Sequence, residues 1–116
     1  MSITRYEQGA RIAQAVAYGA TVYLAGVVGS DLSADAKGQT EQILKKIDQL
    51  LAAAGSDKSK ALTVNVWVSD MRHYDAMNQA WDAWVDPNNK PARATVEARL
   101  ATPKHLVEIM LTAARG

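Results

Sequence analysis

The residues of this chain best suited to chemistry lie near its C-terminal end, in the segment Pro91–Glu97 and at Glu108. Arg93 stands among neighbours that alternate between small apolar and polar, a pattern that indicates a strand with one dry face. A guanidinium fixed on a strand is a planar, permanently charged fork that fits a carboxylate through two hydrogen bonds. Glu108, on the following apolar run, supplies a carboxylate that could lie near it. The pair predicts a site for a small organic acid that undergoes hydrolysis or proton transfer.

Length and composition limit the number of domains and the kinds of site and partner that the chain can have. The 116 residues predict a single domain, 1–116. The absence of cysteine excludes disulfides, thiolate metal sites and a cysteine nucleophile, and the two histidines, His73 and His105, lack metal-ligand spacing. A net charge of +1 gives no excess of basic residues of the kind that binds nucleic acid or an anionic membrane. With no signal-peptide core and no apolar run of membrane-spanning length, we expect a cytoplasmic protein.

The elements that must position Arg93 and Glu108 follow from the hydrophobic periodicity. Apolar residues between positions 35 and 54 recur at one-, three- and four-residue steps, which predicts an amphipathic helix with Ser33 or Asp35 as N-cap and Gly55 after its end. A second helix is predicted after Ser69 and Asp70, ending before Pro87. The predicted strands are Ile3–Glu7, Ile12–Tyr18, Thr21–Ala25, Ala61–Val68, Ala92–Arg99 and Leu106–Ala114. The order is β-β-β-α-β-α-β-β.

Two helices can cover only one face of such a sheet. The face expected to lie under the helices carries Val64, Val66, Val96, Val107 and Ile109. The other face is expected to carry Trp67, Thr95, Glu97, Met110 and Thr112, together with Tyr23. A sheet face that mixes aromatic, apolar and polar side chains is typical of a subunit interface, so we expect a homo-oligomer with closed symmetry.

The order of these pieces resembles a known family. The run PARATVEARLA followed by VEIMLTAA resembles the C-terminal signature of the Rid (reactive intermediate deaminase, YjgF-like) family. The upstream pieces TVYLAG and GQTEQILKKIDQLLAAAGSDKSKAL fit in the same order, so the resemblance covers nearly the whole chain. It implies an α+β fold similar to the trimeric chorismate mutase, in which three sheets form an inner barrel with the helices outside. It also implies a homotrimer with ligand clefts between neighbouring subunits.

The same resemblance implies a chemistry. Members of the family hydrolyse reactive 2-imino or enamine acids to 2-keto acids with release of ammonia, without metal or organic cofactor. Transferred by position in the motif, Arg93 binds the substrate carboxylate and Glu108 positions the attacking water. The backbone at Gly26 and at Thr95 lines the pocket.

Three positions depart from the family pattern. Thr95 stands where many members have cysteine, Ile12 where well-studied members have tyrosine, and Ala25 where they have serine. Without the last two hydroxyls the pocket is expected to be more apolar and to favour imino acids with larger side chains. The smallest substrate, 2-aminoacrylate, and the proton donor for an enamine stay open.

Alternative roles remain open for the same residues. Arg93 also fits an interface ion pair with Glu97 or Glu108, and Glu108 also fits a buried partner for Arg93 or Arg99. Trp81, on a helical stripe, is predicted to pack in the core.

Two other functions are compatible with this chain's fold. The first is non-catalytic binding of a keto or amino acid through the arginine. The second is action on RNA, since some relatives have been called endoribonucleases. The absence of a basic stripe interleaved with aromatic residues argues against the second.

Overall fold

The structure is a computed structural model that describes all residues, 1–116. Its two helices are α1 (Ala36–Ala53) and α2 (Tyr74–Trp84). Short 3-10 turns at Lys58–Lys60 and Met71–His73 precede a strand and α2 respectively. The strands are β1 (Ile3–Gln8), β2 (Ala13–Tyr18), β3 (Thr21–Leu24), β4 (Val27–Val28), β5 (Ala61–Val68), β6 (Ala92–Glu97) and β7 (Val107–Ala114). The predicted α+β order is confirmed. The structure also contains the two-residue strand β4, which the sequence did not predict because so short a segment carries no periodicity.

Helix α1 begins and ends where its capping residues predict. The Asp35 carboxylate accepts a hydrogen bond from the Gly38 backbone N–H at 2.8 Å, which satisfies one of the unpaired donors of the first turn. Gly55 follows the helix with a φ of +81°, a left-handed conformation that favours glycine. Between them the apolar stripe around Ile43 and Ile47 is fully buried against the sheet.

The strands form one mixed sheet. Its order is β1-β2-β3-β7-β5-β6, with β4 paired to β7 beside this path. All pairs are antiparallel except β5 and β6, and β6 forms one edge of the sheet. The core lies between the helices and one face of this sheet and includes Val64, Val66, Met77 and Ile109. Neither helix is both long and apolar enough to cross a membrane.

The face assignment of β6 was wrong for all three residues that were assigned, Thr95, Val96 and Glu97. In the parallel register Thr95 lies beside Val66 and Glu97 beside Val68, so both residues are on the helix-covered side of the sheet. Val96 lies beside Trp67 on the opposite side and is 51% exposed. The register with β5 sets which residues of β6 point which way, and a shift of one residue reverses every side chain. Hydrophobicity alone therefore assigned Val96 to the wrong face.

The face of the sheet that the helices leave open carries four of the six side chains predicted for it. Trp67, Met110, Thr112 and Tyr23 lie on it, as the register of β5, β7 and β3 requires. Tyr23 is 48% and Met110 36% exposed, so large apolar groups lie on the surface of a single chain. The Thr112 hydroxyl lies 2.6 Å from that of Thr63 on the neighbouring strand.

Candidate functional site

Arg93 projects from the edge strand β6 toward α2. Its register partner on β5 is Val64, which places the side chain on the helix-covered side of the sheet. Nη1 donates to Asn78 Oδ1 at 2.8 Å and lies 3.8 Å from Met77 Sδ. The guanidinium carbon lies 5.0 Å from the centre of the Trp81 ring, within range of a cation–π interaction. An amide, a thioether and an indole ring thus hold the guanidinium, and all three are neutral.

The guanidinium of Arg93 has no carboxylate partner within the chain. The ion pairs present are Lys46 with Glu7 and the more distant contact of Arg72 with Asp70. All hydrogen bonds of Arg93 come from Nη1, so the edge formed by Nε and Nη2 has no partner. That edge presents the two parallel N–H groups with which an arginine binds a carboxylate.

Neither carboxylate considered as a partner of Arg93 within the chain contacts it. Glu97 Oε1 accepts the Met71 backbone N–H at 2.9 Å and so caps the 3-10 turn before α2. Glu108 projects from the opposite face of the sheet, because its partner on β5 is Trp67. An ion pair of Arg93 with either residue is therefore absent within one subunit.

Thr95 lies two residues beyond Arg93 on the same face of β6. The rise of a strand places the two positions about 6.6 Å apart. The Thr95 Oγ1 atom is buried and has no hydrogen-bond partner. A buried hydroxyl without a partner costs about 1–3 kcal/mol. This unpaired hydroxyl and the free edge of the Arg93 guanidinium lie on the same face of β6.

Glu108 and Gly26 form a second group on the open face. Glu108 pairs with Val28 of β4, and its side chain folds over the backbone at Gly26. A Cβ built on Gly26 would overlap Glu108 Oε2 and would lie 3.1 Å from Glu108 Cδ. Only glycine permits this approach. Glu108 also lines a hollow of about 420 Å³ together with Trp67 and Arg99, without an ion pair to that arginine.

Ile12 and Ala25 lie close to Gly26 in the fold. Ile12 precedes β2 rather than belonging to it, is 54% exposed, and lines a groove of about 900 Å³ together with Gly26. The ion pair of Glu7 and Lys46, 2.8 Å long, crosses the same groove. The Ala25 backbone N–H donates to Gln14 O at 2.9 Å, which extends the pairing of β2 and β3 by one residue.

The predicted site residues therefore fall into two groups within one chain. Arg93 and Thr95 lie on the helix-covered face at the sheet edge. Glu108 lies on the open face against the backbone of Gly26, and Ile12 lines a groove that Gly26 shares with α1. The first group can bind an anion, and the second can hold a water molecule or accept a proton. No group of three or more histidine, cysteine, aspartate or glutamate side chains gathers as a metal site.

Sequence reasoning did not single out two residues that support these groups. Asn78 is the hydrogen-bond partner of Arg93. The only local sign in the sequence that Asn78 lies near the core is its neighbour Met77, which belongs to the buried stripe of α2. Gln39 is fully buried, donates to Lys104 O at 3.0 Å and accepts the Leu106 N–H at 3.0 Å, which fixes the loop before β7. Its position four residues before Ile43, on the apolar stripe of α1, was a signal for burial.

Trp81 has a second contact beyond core packing. It is 7% exposed, as a core residue should be, and its ring also faces the Arg93 guanidinium. The stripe on which it lies predicted burial correctly, but a stripe does not indicate which strand residue the ring will meet.

Comparison with known proteins gives consistent matches over nearly the whole chain. The family described as Endoribonuclease L-PSP matches residues 3–115. A RutC family protein from Haemophilus ducreyi is 47% identical over 112 residues, covering 97% of this chain and 96% of the relative. The RutC family protein YoaB from Escherichia coli is 42% identical over 114 residues, covering 98% of this chain and 99% of the relative.

Solved structures agree with this assignment. The structure of a YjgF family member from Neisseria meningitidis superposes with a TM-score of 0.97 at 40% identity, covering 100% of this chain and 97% of that one. The structure of YyfA from Yersinia pestis, described as a protein of unknown function of the conserved Rid protein family, superposes with a TM-score of 0.89 at 26% identity, covering 97% of this chain and 99% of that one. The chain therefore belongs to the Endoribonuclease L-PSP family, in which relatives carry the names RutC, YjgF and Rid.

Proposed function

We propose that this protein hydrolyses 2-imino acids and their enamine tautomers, of the 2-iminobutanoate and 2-iminopropanoate type, to 2-keto acids and ammonia. The observation that carries the proposal is the state of Arg93. Its guanidinium is held by neutral groups, and its Nε–Nη2 edge has no partner within the chain. Every 2-imino acid has a carboxylate next to the reacting carbon, and that carboxylate fits the free edge.

The proposed active unit is a homotrimer with one site between each pair of neighbouring subunits. Arg93 and Glu108 point from opposite faces of the sheet, so one chain cannot close both around a single small ligand. The edge strand β6 and the exposed Tyr23, Val96 and Met110 are features that contact with a second copy would cover. We place Arg93 and Thr95 of one subunit opposite Glu108 and Gly26 of the next.

The proposed reaction adds one water to the C=N bond. Arg93 anchors the carboxylate, which fixes the imine carbon in front of the water that Glu108 holds. Glu108 takes a proton from that water as the oxygen attacks the carbon and passes it to the nitrogen, which gives a neutral carbinolamine. Transfer of the hydroxyl proton to the nitrogen, again through Glu108, then breaks the C–N bond, releases ammonia and leaves the carbonyl of the 2-keto acid. Because an imine carbon is already electrophilic, positioning supplies much of the acceleration.

A second candidate function is non-catalytic binding of a keto or amino acid. The observation that favours it is the absence of a side-chain hydroxyl at Ala25, which precedes Gly26, and at Ile12, which lines a groove with Gly26. An enamine must gain a proton on carbon before water can attack, and neither side chain can deliver one. Anion binding by Arg93 would be unaffected.

One experiment separates these functions. An amino-acid oxidase generates imino acids from a panel of amino acids, and semicarbazide traps whatever imine persists. We expect the wild-type protein to suppress the trapped product and Arg93→Ala to lose the suppression. Calorimetric binding of 2-oxobutanoate without suppression would support the binder instead. Salt-sensitive RNA cleavage that survives repurification, with neither of the other results, would contradict both proposals.

A further inference from the structure

The side chain of Asn78 makes a hydrogen bond with the guanidinium of Arg93. Its Oδ1 accepts the Arg93 Nη1 hydrogen at 2.8 Å and is the one side-chain oxygen that does so. We infer that Asn78 is a positioning residue for substrate binding, which holds the guanidinium so that its Nε–Nη2 edge faces the ligand. This inference rests on the proposed function. It assigns a role to a residue outside the positions that the family resemblance supplied.

The chemistry of Asn78 suits this task better than a carboxylate would. An aspartate at the same place would hold Arg93 through a charge-assisted pair and would neutralise it. An amide oxygen fixes the direction of one N–H group and leaves the positive charge available. The Trp81 ring acts in the same sense, since a π face attracts the cation without occupying its in-plane donors.

Pre-orientation matters because β6 is an edge strand. No further strand lies beside Arg93 on the outer side, so contacts from α2 hold its long side chain in place. A long side chain that must be ordered at the moment of binding lowers affinity. Asn78 and Trp81 order it beforehand, and the loss of Asn78 is therefore expected to appear in ligand affinity.

The test compares Asn78→Asp with Gln79→Asp, a matched control. Gln79 is the next residue of α2, is exposed, and makes no hydrogen bond through its side chain. Both variants add one negative charge to the same helix turn, and only the first adds it against Arg93. The measurements are calorimetric affinity for 2-oxobutanoate, KM and kcat for imine hydrolysis, and the thermal unfolding midpoint of the full chain.

We expect Asn78→Asp to unfold at or above the wild-type midpoint, because it creates an ion pair with Arg93. Its Kd for 2-oxobutanoate and its KM should each rise about tenfold or more, a loss of about 1.4 kcal/mol, while kcat changes far less. Asn78→Ala should raise KM by a smaller factor, and Gln79→Asp should bind as the wild type does. A purely structural Asn78 would not separate affinity from stability in this way.

Three results would overturn the inference. Wild-type affinity in Asn78→Ala, which lacks the acceptor oxygen, would show that the orientation of Arg93 does not depend on Asn78. Equal weakening in Gln79→Asp would assign the effect to charge on the helix. A lower unfolding midpoint in Asn78→Asp would contradict the ion pair. A wild-type protein that neither binds 2-oxobutanoate nor hydrolyses imines would instead overturn the proposed function, and this inference with it.

Discussion

Replacing Arg93 with alanine should remove activity and leave the fold in place. Truncating one partner of a desolvated arginine–carboxylate contact costs about 2–5 kcal/mol, which is roughly 30-fold to several thousand-fold in kcat/KM. The loss of folding stability is smaller. It comprises about 1 kcal/mol for the hydrogen bond to Asn78 and about 0.5–1 kcal/mol for the contact with Trp81. Because total stability is typically about 5–15 kcal/mol, the variant should fold.

The assay for Arg93→Ala is suppression of the semicarbazide-trapped imine, with thermal unfolding measured on the same preparation. Arg72→Ala is the matched control, since Arg72 is an exposed arginine with a single contact of 3.9 Å to Asp70. Arg93→Lys keeps the charge but lacks the planar fork, so it should recover only part of the loss. Turnover in Arg93→Ala within threefold of the wild type would refute the role assigned to this guanidinium.

Three further outcomes follow from the site and the loops. Glu108→Gln should lower kcat about a hundredfold or more while 2-oxobutanoate affinity stays near wild type, and an unchanged single-turnover rate would exclude the carboxylate as base. Gly26→Ala should displace the Glu108 carboxylate and lower kcat about a hundredfold without a change in circular dichroism; full activity would contradict the close approach. Hydrogen bonds from Ser33 hold the pKa of Asp31 below its ordinary value, so its stabilising contribution is present above that value and lost as pH falls toward the folded-state pKa. Asp31→Asn should therefore lose less unfolding free energy than the wild type between pH 5 and pH 2, as measured by urea titration. An equal loss in the two proteins would contradict this role of Asp31.

Local signals predicted the helices more reliably than the strand faces. The capping of α1 at Asp35 and its end before Gly55 depend on residues within one turn, so the sequence alone limits the N-cap to Ser33 or Asp35 and predicts the end before Gly55. The faces of β6 depend on its register against β5, which lies about thirty residues earlier in the chain. That register put Val96 on the open face and Thr95 under the helices, and no local pattern encodes it.

In the candidate site, too, the sequence identified individual residues, and the topology decided where they lie. Residue type and pattern singled out Arg93 and Glu108, and the family resemblance added Gly26 and the role of each residue. Their separation onto two faces of the sheet is a property of the topology and could be found only from the coordinates. Asn78 comes from a helix that precedes β6, and which helix face meets which strand residue is decided by tertiary packing.

The most direct test of the account is complementation between two inactive variants, Arg93→Ala and Glu108→Gln. Equal amounts are mixed, subunits are exchanged by mild denaturation and refolding, and mixed assemblies are verified by native mass spectrometry. If each site takes Arg93 from one subunit and Glu108 from its neighbour, random assortment leaves about a quarter of the sites with both groups intact. We expect imine hydrolysis to recover to about a quarter of the wild-type rate. Mixed assemblies no more active than the two separate variants would contradict a site shared between subunits.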